Sequence, residues 1–131
     1  MQVIPPALER LIEDLTHLPG IGRKTATRLA LYVLRRPGSE AQKLAHNLQA
    51  LHTSIHLCSQ CFTFSETDPC AICADPRREA QLVCVVEEPG DQLVIEKTGV
   101  FTGCYHILHG VLAPMDGIGP DELKVQELLN R

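Results

Sequence analysis

Apolar residues recur along the first third of the chain with helical spacing. Leu8, Leu11, Ile12 and Leu15 fall at i, i+3, i+4 and i+7, which predicts a short amphipathic helix over 7–16, with Pro5 and Pro6 behind it. Ala26, Leu29, Ala30, Val33 and Leu34 predict a second helix that ends at Pro37-Gly38. Ser39 followed by Gln42 has the form of a capping box, opening a third helix to about Ile55 with Ala41, Leu44, Ala45, Leu48 and Leu51 as its buried stripe. The period then changes. Gln81–Glu87 is nearly unbroken β-branched and apolar sequence, as in a strand buried on both faces of a parallel sheet. A helix over 90–97 with Leu93 and Val94 inward, a strand over Cys104–Leu108, a loop from Gly110 to Gly119 and a last helix from Pro120 to Asn130 complete the pattern. The expected class is α+β and modular: a helical head, a small central module, and the start of an α/β domain.

The first two helices are separated by Leu18-Pro19-Gly20-Ile21-Gly22, two glycines flanking one apolar residue. Helix, Pro-Gly-Ile-Gly turn, helix looks like a helix-hairpin-helix motif. Gly20 and Gly22 allow the backbone close to a phosphate, and the second helix turns its amide dipole toward it. Lys24 and Arg28, one helical turn apart, are candidates to reach phosphates of one strand, with Arg23 at the rim; such contacts position DNA without reading its sequence. The competing reading is a plain helix pair whose glycines make the turn and whose charges are solvated.

The chemistry-bearing stretch is Cys58-Ser-Gln-Cys61, followed after eight residues by Cys70-Ala-Ile-Cys73. Each two-residue spacer lets a tight turn aim two thiolates at one point, and two turns complete a tetrahedron suited to Zn²⁺. Two disulfides need an oxidising compartment that nothing here marks. A redox dithiol uses one pair rather than two. A rubredoxin-like iron site uses the same ligands, and spacing does not separate it from zinc. Four thiolates with no open position make a structural site, whose metal affinity of about 10–16 kcal/mol serves as folding free energy. His52 and His56, four apart, read as surface or packing residues, and His56 as a weak substitute ligand. Cys84 and Cys104 read as inert strand thiols, and His106 and His109 as polar contacts at a sheet edge.

Charge sharpens the picture. The 131 residues carry a formal −4, but residues 1–37 hold six basic side chains against three acidic ones, leaving −7 on the rest. A basic head on an acidic body puts any phosphate contact at the N-terminal end. Hydrophobic content of 44% with no apolar run of membrane-spanning length, and a start lacking a signal peptide, predict a soluble cytoplasmic protein with no membrane partner.

The order of these modules, with Glu87 ending a strand, Gly103-Cys-Tyr-His-Ile-Leu-His-Gly110 and Pro114-Met-Asp-Gly-Ile-Gly-Pro120, resembles the RecR family of bacterial recombination mediators along essentially the whole chain. The resemblance implies a helix-hairpin-helix domain over 1–56, a four-cysteine zinc finger over 57–74 and the N-terminal part of a Toprim domain over 80–131. It implies a non-enzymatic DNA-repair protein that assembles as a dimer or tetrameric ring and acts with RecO and RecF to promote RecA loading on gapped or single-stranded DNA. Members of that family continue well past this point, so the chain is expected to stop inside the Toprim domain and to leave apolar surface exposed. In Toprim enzymes a strand-end Glu works with a later acidic cluster that holds Mg²⁺. Glu87 has no such cluster after it here, and one carboxylate is a poor site for a hard cation, so Glu87 is expected to be non-catalytic. Two alternatives stand beside this reading: a Mg²⁺-dependent Toprim nuclease or topoisomerase-like fragment, and a zinc-ribbon interaction module without DNA contact.

Overall fold

The computed structural model describes residues 3–131. The first two residues of the expected 1–56 module, and of the start read for a signal peptide, lie outside the described residues. The chain forms two compact units, Met1–Leu51 and His52–Arg131.

In the first unit, α1 (Pro6–Thr16) opens with proline at its first position, where the missing amide costs no helical bond. The α2 helix (Arg23–Arg35) packs against it through Ala26 and Ala30, whose small side chains allow a close approach around Ile12. Leu8, Leu15 and Ile21 line this small core. Leu29 and Leu34, expected inward, are exposed, because the contact with α1 uses the alanine face.

The α3 helix (Gly38–Ser54) departs from expectation twice. Pro37 forces Arg36 into extended backbone, and the Pro37 carbonyl accepts the Glu40 amide, so the helix begins at Gly38. Ser39 therefore lies inside the first turn and cannot cap it; the Arg36–Glu40 pair at 2.7 Å spans the junction instead. The expected buried stripe is also not buried: Leu44, Leu48 and Leu51 are each more than half exposed. The helix ends before His56, which lies on a strand and shares no helical face with His52.

The second unit joins a small hairpin to a parallel pair of strands. β1 (His56–Leu57) and β2 (Phe64–Ser65) pair antiparallel, and the one-turn α4 (Ala71–Ala74) follows. β3 (Glu79–Val86) runs parallel to β4 (Gly103–Ile107), with a register irregularity between Glu79 and Val83. There the chains approach so closely that a Cβ on Gly103 would meet the Leu82 carbonyl and the Phe101 ring. β4 is buried at all five positions, whereas β3, expected to be buried on both faces, is exposed over its first half. The difference follows from neighbours: β4 has β3 on one edge and accepts the cysteine loop on the other, through Ile107 N–H to Cys61 O at 2.8 Å.

α5 (Pro89–Lys97) connects the two strands. Its inner face is Gln92, Ile95 and Glu96, not Leu93 and Val94, which are 61% and 68% exposed. Polar partners set this phase. Thr63 donates to Gln92 Oε1 at 2.7 Å, and Glu96 receives both Arg78 and the Tyr105 hydroxyl, turning residues 93 and 94 about 100–200° away. The expected final helix is interrupted. A 3₁₀ turn over Pro120–Glu122 gives way to an extended, buried Leu123 before α6 (Val125–Leu129). A tertiary bond takes an amide that a continuous helix would use: Lys124 N–H donates to Leu108 O, while Lys124 O accepts both His106 Nε2 at 2.7 Å and the Leu128 amide of α6 at 3.3 Å. The 110–119 loop closes on itself through a 3₁₀ turn (Pro114–Asp116) and an Ala113–Ile118 bridge.

Candidate metal centre and nucleic-acid interface

The cysteine stretch folds into two knuckles. The Cys58 amide donates to Thr63 O at 2.8 Å and the Phe62 amide to Cys58 O at 2.9 Å, a turn closed by Phe62 in left-handed backbone (φ 68°). Asp68 clips the knuckle by accepting both the Ser59 amide and hydroxyl at 2.8 Å, bonds that hold its carboxyl below the usual range. In the second knuckle the Cys70 amide points at Cys58 Sγ (3.3 Å) and the Cys73 amide at Cys70 Sγ (3.5 Å), as donors to thiolates do.

These turns bring Cys58, Cys61, Cys70 and Cys73 together, with all four Sγ atoms within 4.8 Å of one another. Four sulfurs at ~2.3 Å from a shared zinc lie ~3.8 Å apart at the corners of a tetrahedron. The Cys61 and Cys70 sulfurs are 3.6 Å apart, close to that spacing, and the other pairs stay within 4.8 Å, so the quartet is gathered at about the size of the ion's shell. Thiol chemistry agrees. Hydrogen bonding from Cys73 draws Cys61 down to about 5 against the opposing effect of burial, while that same contact pushes Cys73 up and burial raises Cys70. These contacts favour the thiolate at Cys61 and disfavour it at Cys70 and Cys73; a divalent cation removes that repulsion and can hold the quartet as anions. Three of the sulfurs' residues are buried and Cys73 is half-buried, leaving no open coordination position for catalysis.

The metal centre is built into the wall of the sheet. Cys58, Cys61 and Cys70 share one core with Val86, Tyr105 and Ile107. Phe62 meets His106 edge-on at 5.4 Å and lies under the Lys124 ammonium at 5.2 Å; His109 Nε2 bonds Phe62 O. His106, expected at a sheet edge, is fully buried in β4. Its Nε2 donates to the Lys124 carbonyl and its Nδ1 accepts from Arg131 Nη1 at 3.3 Å. Cys104 is buried and Cys84 half-buried, in keeping with packing roles.

The helical hairpin presents a different kind of surface. Gly20 takes φ +78°, a conformation that side chains resist, and Gly22 is the extended N-cap of α2 with no side chain over the first turn. The amides of that turn are therefore available to an anion. No acid lies in the first turn of α2, and Lys24 and Arg28 are exposed with no ion pair among the described residues. Arg23 differs: its guanidinium grips both Glu9 oxygens, at 2.6 and 2.8 Å, and is committed to holding α2 against α1. Glu87 is exposed at the end of β3, where its carbonyl accepts the Gly110 amide. Among the described residues, the His, Cys, Asp and Glu group placed to hold a metal is the cysteine quartet.

Sequence reasoning missed the polar residues that join the cysteine module to the sheet. Gln92 and the Arg78–Glu96 pair (2.6 Å) carry no local pattern, and His106 reads as a sheet-edge contact rather than a buried one.

Comparison with known proteins supplies the remaining step. A family model for the RecR helix-hairpin-helix matches residues 8–52, one for the RecR four-cysteine zinc finger domain matches 55–75, and one for the Toprim domain matches 81–129. The zinc finger model and the packed quartet together make the cofactor a structural zinc ion. Among curated relatives, Recombination protein RecR of Desulforapulum autotrophicum is 51% identical over 131 residues, all of this chain and 66% of the relative. That of Desulfosudis oleivorans is 52% identical over 127 residues, 97% of this chain and 64% of the relative. That of Roseiflexus sp. is 47% identical over 131 residues, all of this chain and 64% of the relative. The chain thus spans just under two thirds of the length of these relatives. With three models matched in sequence order and about half of all positions identical along the chain, it belongs to the RecR family.

Proposed function

We propose that this chain is the DNA-contacting, zinc-stiffened part of a recombinational repair mediator. It holds DNA by its phosphate backbone without reading sequence and acts, non-enzymatically, with RecO and RecF to promote RecA loading on gapped or single-stranded DNA. Self-association into a dimer or tetrameric ring multiplies a weak contact, since a head of only +3 binds poorly once and better when repeated. Cys58, Cys61, Cys70 and Cys73 ligate one Zn²⁺, which fixes the knuckles against β4. Gly20 and Gly22 admit a phosphate to the α2 amides, and Lys24 and Arg28 complete its neutralisation; Arg23 contributes by bracing the hairpin. Glu87 serves as a surface charge, not a catalyst.

The observation that carries this reading is the uncapped start of α2, with open amides beside two unpaired cations. Its test is DNA affinity measured against salt. Each phosphate contact contributes a slope of about 0.9 for duplex DNA, so Lys24→Ala/Arg28→Ala should flatten the log–log slope by about 2 and weaken binding on every sequence alike. A double variant with the parent's slope would remove the hairpin from the interface.

A further inference from the structure

The α2 helix carries a stripe that the phosphate contact does not exhaust. Lys24, Arg28, Tyr32 and Arg35 succeed one another at spacings of four, four and three, on one face of the helix over ~16 Å. Thr25, Arg28, Leu29, Leu31, Tyr32 and Arg35 line a single open groove of about 470 Å³.

Tyr32 is 60% exposed, and its hydroxyl has no partner among the described residues. A lone exposed ring is ordinary; this one differs in company. The protein's other four Phe and Tyr rings are each set against a neighbouring ring: Phe62 on His106, Phe64 on His109, and Phe101 on Tyr105. Tyr32 has no ring neighbour among the described residues and is instead bracketed by two guanidinium groups, one turn before and one turn after. Arg28 and Arg35 make no ion pair among the described residues, whereas the adjacent Arg36 is held by Glu40. No residue of α2 is acidic. A flat π-face between two uncommitted cations, on a helix of one sign of charge, is complementary to an unpaired base between its own two phosphates. A duplex offers no such partner, because its bases are already stacked on each other.

We infer that the Lys24–Arg28–Tyr32–Arg35 face is a track for single-stranded DNA, on which Tyr32 stacks one base while Arg28 and Arg35 hold the flanking phosphates. This rests on the DNA-contact reading above and extends it from the hairpin along the full length of α2.

The test uses a single-stranded oligonucleotide carrying 2-aminopurine, whose fluorescence is quenched on stacking, beside a duplex of the same sequence. The parent chain should quench the probe. Tyr32→Phe should keep both quenching and affinity, and Tyr32→Ala should lose the quench and bind the single strand on the order of ten- to a hundredfold more weakly, with duplex affinity within about twofold of the parent. The inference is overturned if Tyr32→Ala matches the parent on the single strand. Equal loss on duplex and single strand also overturns it, as does equal loss accompanied by dissociation of a multimer, which would assign the groove to a second copy. A parent that binds neither form would instead remove the DNA-contact reading itself.

Discussion

The Ile107 amide donates to the Cys61 carbonyl across 2.8 Å, so a residue of the cysteine quartet is also the backbone neighbour of the most buried strand. The zinc loop here is the second edge partner of β4. Chelating the metal should therefore unzip more than the knuckles. Hydrogen exchange of the Ile107 amide, and of β4 generally, should accelerate when zinc is removed. The α1–α2 amides, whose core of Ile12, Ala26 and Ala30 contains no ligand, should stay protected. Unchanged β4 protection would separate the metal from the sheet.

Arg23 and Lys24 are neighbours in sequence with opposite expected phenotypes. Arg23→Ala breaks a partly exposed ion pair in which Nη2 donates to both Glu9 oxygens, which should lower stability by up to about 1 kcal/mol. The salt slope of DNA binding should move little. Thermal unfolding and salt titration on the same variant distinguish bracing from phosphate contact.

Thr63 and Gln92 form a buried pair between the hairpin and α5. Thr63→Val leaves the Gln92 amide oxygen without its donor in a site only 2% exposed, at a cost of about 1–3 kcal/mol. Removing both polar groups, as in Thr63→Val/Gln92→Leu, should recover much of that loss. Denaturant midpoints of the three variants test this asymmetry; additive losses would contradict it.

Acid should weaken the second unit through Glu96. Its carboxyl is held below the ordinary 4.5, first by the Arg78 guanidinium and then by the Tyr105 hydroxyl. Because the folded state binds this proton less readily than the unfolded chain, the stabilisation is fully present above about pH 4.5 and lost as pH falls through the folded value. Glu96→Gln should flatten the stability–pH curve in that window while leaving neutral-pH zinc content unchanged.

Much of the architecture was legible because periodicity and spacing are local signals. Two amphipathic helices around Gly20-Ile21-Gly22, the Cys-x-x-Cys pairs, and a parallel β3–α5–β4 unit all follow from such signals. The misplaced faces of α5 and of the last segment have one cause, partners distant in sequence. Leu93 and Val94 look inward by hydropathy, but Glu96 is drawn in by Arg78 and Gln92 by Thr63, and the helix turns to suit them. The Pro120–Asn130 segment reads as one helix until Leu123 is pulled into the core and Lys124 is engaged by β4. Conversely, the exposed Leu44, Leu48 and Leu51 stripe shows that a helical pattern specifies a face without specifying what covers it. The gathering of the four cysteines was readable from their spacing, which left zinc and iron undistinguished; the Arg23 commitment to Glu9 was not readable, since it joins residues fourteen apart on different helices.

The structural zinc centre can be tested directly at the metal. Zinc-edge X-ray absorption of the purified chain should give one zinc per chain with four sulfur neighbours at ~2.3 Å and no nitrogen or oxygen in the shell. A folded, metal-free chain, or a zinc shell containing histidine or water in place of any of the four sulfurs, would contradict it.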